Sequence, residues 1–233
     1  MENQFSRTEL LIGKDKLNIL KKSKVLVFGC GGVGGYVVEA LARSGVGTIG
    51  VVDKDTVSIS NINRQIIATL NTVGLNKVDV IESRIKSINK DCNVIKYDMF
   101  YLPGNNDINL GDYDYVVDAI DTVSAKLDII ERCYKNDIKI ISSMGTGNKL
   151  NPLMLEIADI NKTSVCPLAR VMRYELRKRG VKKLKVLYSK EEPIELEQKQ
   201  FTDQNKAVPG SIAFVPSVAG LVIASEVVKD LIE

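Results

Sequence analysis

Polar and glycine residues that follow two short apolar runs could together bind a phosphorylated nucleotide. The first run, 25–28, ends in the sequence GCGGVG (Gly29–Gly34), which satisfies the pattern G-x-G-x-x-G. Its glycines let backbone N–H groups approach a phosphate, and a helix that starts there adds a partial positive charge. The second run, 48–52, ends in Asp53, at the place where an acid can bind the hydroxyls of a ribose. We therefore predict a nucleotide site, with a tight turn that binds no ligand as the alternative.

Further polar side chains indicate which nucleotide this is. They are Asp55, Asn61, Arg64, Gln65 and Lys77. Two cations at the same strand ends suit a triphosphate better than the two phosphates of a nicotinamide dinucleotide. Asp121, which ends the fourth predicted strand, could hold Mg²⁺ on those phosphates. The alternatives are that Arg64 and Lys77 are surface charges and that Asp121 is the N-cap of the next helix.

Composition narrows the class of protein and of mechanism. The chain has 233 residues, 45% of them hydrophobic and 26% charged, with a net charge of +3, as in ordinary soluble domains. It has no histidine, so no mechanism can use imidazole as a base or metal ligand. The scattered cysteines Cys30, Cys92, Cys133 and Cys166 form no C-x-x-C pair, which excludes a zinc clamp and indicates a reduced, cytoplasmic chain. We expect neither a signal peptide nor a membrane span.

Strands and helices alternate in the first part of the chain. The predicted strands are 25–28, 48–53, 94–99, 115–121 and 139–144, with helices starting near 34, over 77–88 and over 125–134. This order predicts a doubly wound, Rossmann-like α/β fold with a mainly parallel sheet, whose sites lie beyond the carboxyl ends of the strands. A strand at 153–160 and helices at 167–180 and 216–232 form a carboxyl-terminal extension. We expect one domain, with a helical segment 1–22, a nucleotide-binding core 23–150 and a substrate and dimer region 151–233.

The segment 162–190 is strongly basic, since Glu175 is its only acid. Cations at helical spacing and just beyond the helix predict a surface that binds nucleic-acid phosphates near the mouth of the site. They are Arg170, Arg173, Arg177, Lys182 and Lys183. A solvated helix face is the alternative. Residues 191–205 are polar and acidic, which predicts a mobile loop.

Several motifs together resemble the ThiF/MoeB/ubiquitin-activating superfamily, whose members adenylate a carboxylate with ATP. They are GCGGVG, the run from Asp53 to Gln65, Val73-Gly74-x-x-Lys77 and Asp118-Ala119-Ile120-Asp121. Within that superfamily the chain is most similar to the tRNA threonylcarbamoyladenosine dehydratases. The segments that carry this closer likeness are 5–13, 142–145, 158–163 and 214–220.

The resemblance implies a role for each matching residue. Gly31 and Gly32 would lie against the nucleotide and Asp53 would bind its ribose. Arg64 and Lys77 would bind the triphosphate and stabilise charge as pyrophosphate leaves. Asp121 would bind Mg²⁺, and Arg7 would reach into the neighbouring subunit's site of a homodimer.

The resemblance also implies the reaction. The carboxylate of the threonyl group beside the tRNA anticodon is adenylated, and its own ureido group then closes a ring and releases AMP. Because that nucleophile is intramolecular, proximity replaces a catalytic thiol. Cys166 stands where dehydratases commonly carry an acid, and its role is open.

Two other functions stay open at this stage. The chain could activate a small sulfur-carrier protein, although such enzymes usually carry paired zinc cysteines. It could also be a nucleotide-binding or dehydrogenase-like module without adenylation. Whether a sulfur-relay protein is a partner is open as well.

Overall fold

The structure, a computed structural model, describes residues 2–198, 200–201 and 207–233. Its helices are α1 (Ser6–Ile12), α2 (Lys14–Lys22), α3 (Gly34–Ser44), α4 (Lys77–Ile88), α5 (Val123–Lys135), α6 (Pro167–Lys178) and α7 (Phe214–Ile232). Its strands are β1 (Lys24–Phe28), β2 (Thr48–Val52), β3 (Asn93–Tyr97), β4 (Tyr115–Asp118), β5 (Ile140–Ser143), β6 (Leu155–Asp159) and β7 (Lys185–Ser189). No helix in these ranges is long and apolar enough to cross a membrane.

All the described strands belong to one sheet in the order β3-β2-β1-β4-β5-β7-β6. Only β6 is antiparallel to its neighbour, so the carboxyl ends of the other strands lie along one edge. The predicted doubly wound, mainly parallel α/β sheet with a strand and helix extension is therefore confirmed. The division into 1–22, 23–150 and 151–233 stays a prediction.

Alternating residues of the central strands explain why helices cover both faces. Val25 and Val27 of β1 pack with α3, α4 and α7 in one core. Leu26 and Phe28 point the other way and pack with α5 and the chain around 97–113. A strand buried on both faces reads as a continuous apolar run, which is why β1 was predictable.

Two strand predictions need correction. The fourth strand ends at Asp118 rather than Asp121, so Asp121 lies in the turn that follows it. β7 was not predicted, and it lies inside the segment that we interpreted only as basic. In the loop predicted over 191–205, residues 191–198 form no helix or strand, while 199 and 202–205 lie outside the described residues.

Candidate active site

A cavity of about 390 Å³ lies at the carboxyl ends of β1, β2 and β4. The predicted nucleotide-binding residues that line it are Gly29, Gly31, Gly32, Asp53, Asp55, Asn61, Arg64, Gln65, Lys77 and Asp121. The chain thus brings together side chains from the glycine turn, the end of β2, the start of α4 and the turn after β4. Gly34 and Arg7 do not line this cavity.

The glycine turn uses its glycines in two ways. Some allow close packing of the backbone, and one leaves open space in the cavity. Gly29 has φ +90°, and a Cβ there would lie 2.7 Å from the Ala119 backbone oxygen. A Cβ on Gly34 would lie 1.7 Å from the Gly29 oxygen, so this residue serves the packing of turn and helix. At Gly31 the nearest atom would be the Gln65 amide nitrogen at 3.8 Å. A larger side chain at Gly31 would therefore enter space that a ligand could use.

Asp53 ties the glycine turn to the end of β2. Its Oδ2 accepts a hydrogen bond from the Cys30 N–H at 2.7 Å, and its Oδ1 accepts one from the Asp55 N–H at 2.9 Å. These bonds hold the carboxylate at the cavity wall in a fixed orientation. Each oxygen can accept a further bond.

Lys77 is a buried cation rather than a surface charge. Its side chain is only 7% exposed, and its Nζ lies 2.8 Å from Asp55 Oδ2 and 3.8 Å from Asp53 Oδ1. The backbone N–H of Lys77 also donates to the backbone oxygen of Asp55 at 3.0 Å. A buried ammonium needs such partners, because its desolvation costs several kcal/mol. The sequence alternative of a plain surface lysine is therefore wrong.

Arg64 and Gln65 lie on the loop between β2 and α4. Arg64 is half-buried, and its Nη1 donates to the Ser60 backbone oxygen and to Asn63 Oδ1, both at 2.9 Å. Gln65 is buried, and its Oε1 is an acceptor without a hydrogen-bond partner among the described residues. Buried polar atoms nearly always have a hydrogen-bond partner. The missing partner of this oxygen is therefore consistent with a site that binds a ligand.

Asp121 is exposed in the cavity wall, and Thr122 rather than Asp121 is the N-cap residue of α5. The N-cap interpretation of Asp121 is therefore wrong. No cluster of three or more metal-binding His, Cys, Asp or Glu side chains forms in the described part of the chain. Mg²⁺ on a nucleotide takes one or two carboxylates together with phosphate oxygens, so a single carboxylate here fits that ion.

A buried ion pair lies under the Asp121 turn and was missed from the sequence. Lys126 and Asp118 are both fully buried, with Nζ and Oδ2 2.8 Å apart. Lys126 also donates to the backbone oxygens of Ile120 at 3.2 Å and Ser143 at 2.9 Å. Ser142 Oγ donates to Asp118 at 2.5 Å. One lysine therefore links β4, β5 and the turn that carries Asp121.

The other residues of the cavity wall are not among the predicted site residues. They are Phe28, Val33, Val52, Lys54, Met99, Phe100, Tyr101, Ala119, Ile120, Thr122, Ala125, Thr146, Ser211 and Pro216. The Lys54 ammonium lies 4.3 Å from the centre of the Phe100 ring. Several of these residues belong to predicted strands or to the motifs quoted above, but Phe100, Thr146 and Ser211 lie in irregular segments with no recognisable pattern, so only the fold places them here.

The predicted basic surface is divided by the structure. The Arg173 guanidinium is half-buried and donates to the backbone oxygen of Thr163 at 2.8 Å, so it holds α6 to the preceding loop. Arg170 and Arg177 are exposed on α6. Lys182 and Lys183 are exposed just before β7.

These two lysines correct the expectation that the basic surface lies near the mouth of the site. Because β7 is parallel to β5, they lie at the amino edge of the sheet, opposite the cavity. α6 ends near that same edge, because Arg179, just after it, pairs at 2.8 Å with Glu131 near the end of α5, which leads into β5. The first turn of α6 therefore lies toward the carboxyl edge. The 12 residues of α6 span about 18 Å, so Arg170 in its first turn lies closer to the carboxyl edge than the lysines do, although it does not line the cavity.

The four cysteines are buried and unpaired to one another, with Cys166 only 3% exposed. Burial raises the pKa of the Cys92 thiol to about 11 and that of the Cys133 thiol to about 12. Burial likewise raises the pKa of Cys30. These three thiols are therefore protonated and unreactive at neutral pH.

Known proteins resemble this chain over nearly its whole length. A tRNA threonylcarbamoyladenosine dehydratase of Bacillus subtilis is 49% identical over an alignment that covers 100% of this chain and 96% of the relative. An Escherichia coli protein of the same name is 39% identical over 75% of this chain and 65% of its own length.

The fold has matches among solved structures as well. A crystal structure of the Escherichia coli tRNA N6-threonylcarbamoyladenosine dehydratase in complex with AMP superposes with a TM-score of 0.88 at 32% identity. The complex of that protein with ATP gives a TM-score of 0.87 at 31% identity. Each match covers 98% of this chain and 93% of the other. The ThiF family matches residues 5–233, and this chain belongs to that family.

Proposed function

We propose that this chain is an ATP-dependent dehydratase that adenylates the carboxylate of threonylcarbamoyladenosine in tRNA and promotes its cyclisation. The observation that carries the proposal is the single cavity that joins the glycine turn, Asp53, Arg64, Lys77 and Asp121. Relatives and solved structures that match nearly the whole chain bear the same name, and structures of one of them hold ATP and AMP.

In this proposal the glycine turn and β2 bind the nucleoside. Gly31 leaves room for a phosphate against the start of α3, and Asp53 accepts hydrogen bonds from the ribose hydroxyls. Gln65 Oε1 gains a partner when the cavity fills. Phe100 and Ile120 give the base an apolar wall.

Arg64 and Lys77 would provide the electrostatic stabilisation for the reaction. ATP supplies the phosphorus atom that the carboxylate attacks, and pyrophosphate leaves. Negative charge then develops on the departing oxygens, and fixed cations in a water-poor site stabilise such charge strongly. Asp121 would hold Mg²⁺, which shares the same charge.

The second half of the reaction needs no residue as nucleophile. The ureido group of the substrate attacks the activated carboxyl group of the same nucleoside. This attack closes a ring and releases AMP. Holding the two groups together replaces a covalent enzyme intermediate. The burial of Cys166 agrees with a mechanism that uses no thiol.

We propose that the chain forms a homodimer in which Arg7 completes the partner's site. Arg7 is exposed on α1 and does not line the cavity of its own chain. Leu10 and Leu11, at helical spacing from it, are 87% and 85% exposed. An apolar patch around an arginine is what a partner surface would cover.

The tRNA anticodon arm would contact α6 and the segment after it, through Arg170, Arg177, Lys182 and Lys183. Arg173 contributes less, because its guanidinium already binds Thr163. The enzyme would act in the cytoplasm, where its substrates are.

ATP–pyrophosphate exchange tests the proposal against its alternatives. Exchange that requires tRNA carrying threonylcarbamoyladenosine supports it. Exchange driven instead by the carboxyl tail of a sulfur-carrier protein would contradict it. Tight binding of NAD with no exchange under either condition would favour a dehydrogenase-like module.

A further inference from the structure

α6 has a buried face and an outer face with very different chemistry. Ala169, Met172 and Leu176 are buried and hold the helix on the protein. The outer face consists of Arg170, Val171, Tyr174, Arg177 and Lys178, all of them exposed. Packing of the helix therefore does not explain the residues of the outer face.

Tyr174 is the unusual member of this face. Its side chain is 63% exposed, whereas Tyr101, Tyr113 and Tyr115 are buried and hydrogen-bonded through their hydroxyls. Its ring is stacked by the Lys178 ammonium, 4.0 Å from the ring centre. Lys178 thus covers one face of the ring, and the rest of this exposed aromatic surface is available to a flat ligand.

The charges around the ring point to the chemistry of that ligand. Arg170 precedes Tyr174 by four residues and Arg177 follows it by three, so each lies about one helical turn from the ring. Neither arginine is paired with a carboxylate in the ranges that the structure describes. The only acid of α6, Glu175, is already bound to Lys178 at 3.0 Å. The result is an aromatic surface between two available guanidinium groups.

Phosphates bind guanidinium groups, and unpaired bases stack on exposed aromatic rings. A paired duplex offers the first contact but not the second, because its bases are already stacked. We propose that the outer face of α6 binds unpaired nucleotides of the tRNA anticodon loop, with a base on Tyr174 and flanking phosphates on Arg170 and Arg177. This inference rests on the proposed function, which supplies the tRNA.

The position of the face agrees with this role. Arg170 lies in the first turn of α6, the end of the helix that lies toward the carboxyl edge of the sheet, although it does not itself line the cavity. Nucleotides next to the modified adenosine would extend from the cavity along the helix. Loop nucleotides bound to Tyr174 would then orient the substrate without any contact to the reacting atoms.

Binding to two RNAs of equal length tests the inference, with the full chain and fluorescence anisotropy. One RNA is an anticodon stem-loop and the other is fully paired. Tyr174→Ala should weaken binding of the stem-loop by roughly 5-fold to 150-fold, the range measured for loss of one stacked base. Binding of the paired RNA should change little. Tyr174→Phe should retain stem-loop binding, because it keeps the ring.

Matched variants control for position and charge. Tyr134→Ala removes a tyrosine that is 39% exposed on α5 and should have no effect. Arg170→Gln and Arg177→Gln should each lower the salt dependence of stem-loop binding by about 0.7 log units per log unit of salt, the value for one contact to a single strand. Lys90→Gln, an exposed lysine after α4, should leave the salt dependence unchanged.

Unchanged stem-loop affinity in Tyr174→Ala would overturn the inference, as would equal losses for both RNAs or a Phe variant as weak as the Ala variant. A stem-loop affinity no better than that of paired RNA for the unaltered chain would overturn it too. AMP release by the unaltered chain with modified tRNA reports the proposed function separately. Normal release together with unchanged binding in Tyr174→Ala would reject this surface alone.

Discussion

Two cations at the cavity, Lys77 and Arg64, have different bonding partners. These partners determine how the removal of each cation should affect the fold. Lys77 is nearly buried, but its closer partner, the Asp55 carboxylate, is 59% exposed. Asp55 left without Lys77 can therefore be solvated, and the fold should survive the loss. Within the described residues, Arg64 is bound to neutral oxygens alone, those of Ser60 and Asn63. Both cations are thus suited to a ligand's phosphates.

Replacing Lys77 or Arg64 by Ala should reduce turnover by about 100-fold to 1,000-fold, as expected for loss of one electrostatic donor at developing charge. Asp121→Ala should also reduce turnover strongly, and added Mg²⁺ should restore part of that turnover. AMP release and thermal unfolding measure activity and fold. Lys96→Ala removes an ion-paired lysine outside the cavity, and its turnover should be near normal. Only modest losses of turnover in all three site variants would favour the alternative that the cavity binds a nicotinamide dinucleotide.

Cys166→Ala should retain near-normal AMP release, because the thiol is buried and the proposed nucleophile belongs to the substrate. The same variant should unfold at a slightly lower temperature, since it leaves a small cavity. Activity that is abolished in a folded Cys166→Ala protein would mean that a thiol takes part in the reaction.

At the scale of elements, the turn after β4 depends on a lysine in the middle of α5. Lys126 neutralises Asp118 and also binds the backbone oxygens of Ile120 and Ser143. The Ala119 N–H also donates to the Phe28 oxygen at 2.9 Å, so β1 holds the start of the same turn. The position of Asp121 is therefore set by groups that do not touch the nucleotide.

Lys126→Met should destabilise the fold by about 3–5 kcal/mol, because it leaves the Asp118 carboxylate buried without a counter-charge. The double variant Asp118→Asn with Lys126→Met should recover much of that stability. Its turnover should stay low, since the turn still lacks the donor to Ile120. Chemical denaturation and AMP release separate the two effects. Normal turnover in the double variant would show that the pair serves stability alone.

How much of this could be predicted depends on whether the signal is local. β1 and β2 have local patterns, and most of the predicted cavity residues lie in the segments that follow them. The network around Lys126 is invisible in sequence, since a lysine in a helix is normally exposed. β7 has only three apolar residues between lysines, and pairing with β5 and β6 from distant parts of the chain stabilises it. Arg173 shares the spacing of its neighbours, but tertiary contact with Thr163 changes its role.

At the scale of the whole molecule, one chain contains the cavity, whereas the proposed site includes an arginine from a second chain. Arg7→Ala and Lys77→Ala proteins should each be nearly inactive. Mixing them should restore part of the activity, because a heterodimer contains one site with both residues intact. Subunit exchange is verified by two different tags. An inactive mixture with exchange verified would contradict an arginine that acts in trans.

The proposed function links one nucleotide cavity to one change in a tRNA base, and the reaction product tests that link most directly. Modified tRNA is incubated with the chain, ATP and Mg²⁺, and its nucleosides are weighed by mass spectrometry while AMP is counted. We predict that the threonylcarbamoyladenosine mass falls by one water molecule, with one AMP released for each nucleoside changed. An unchanged nucleoside mass, or AMP released without loss of water, would contradict the central claim.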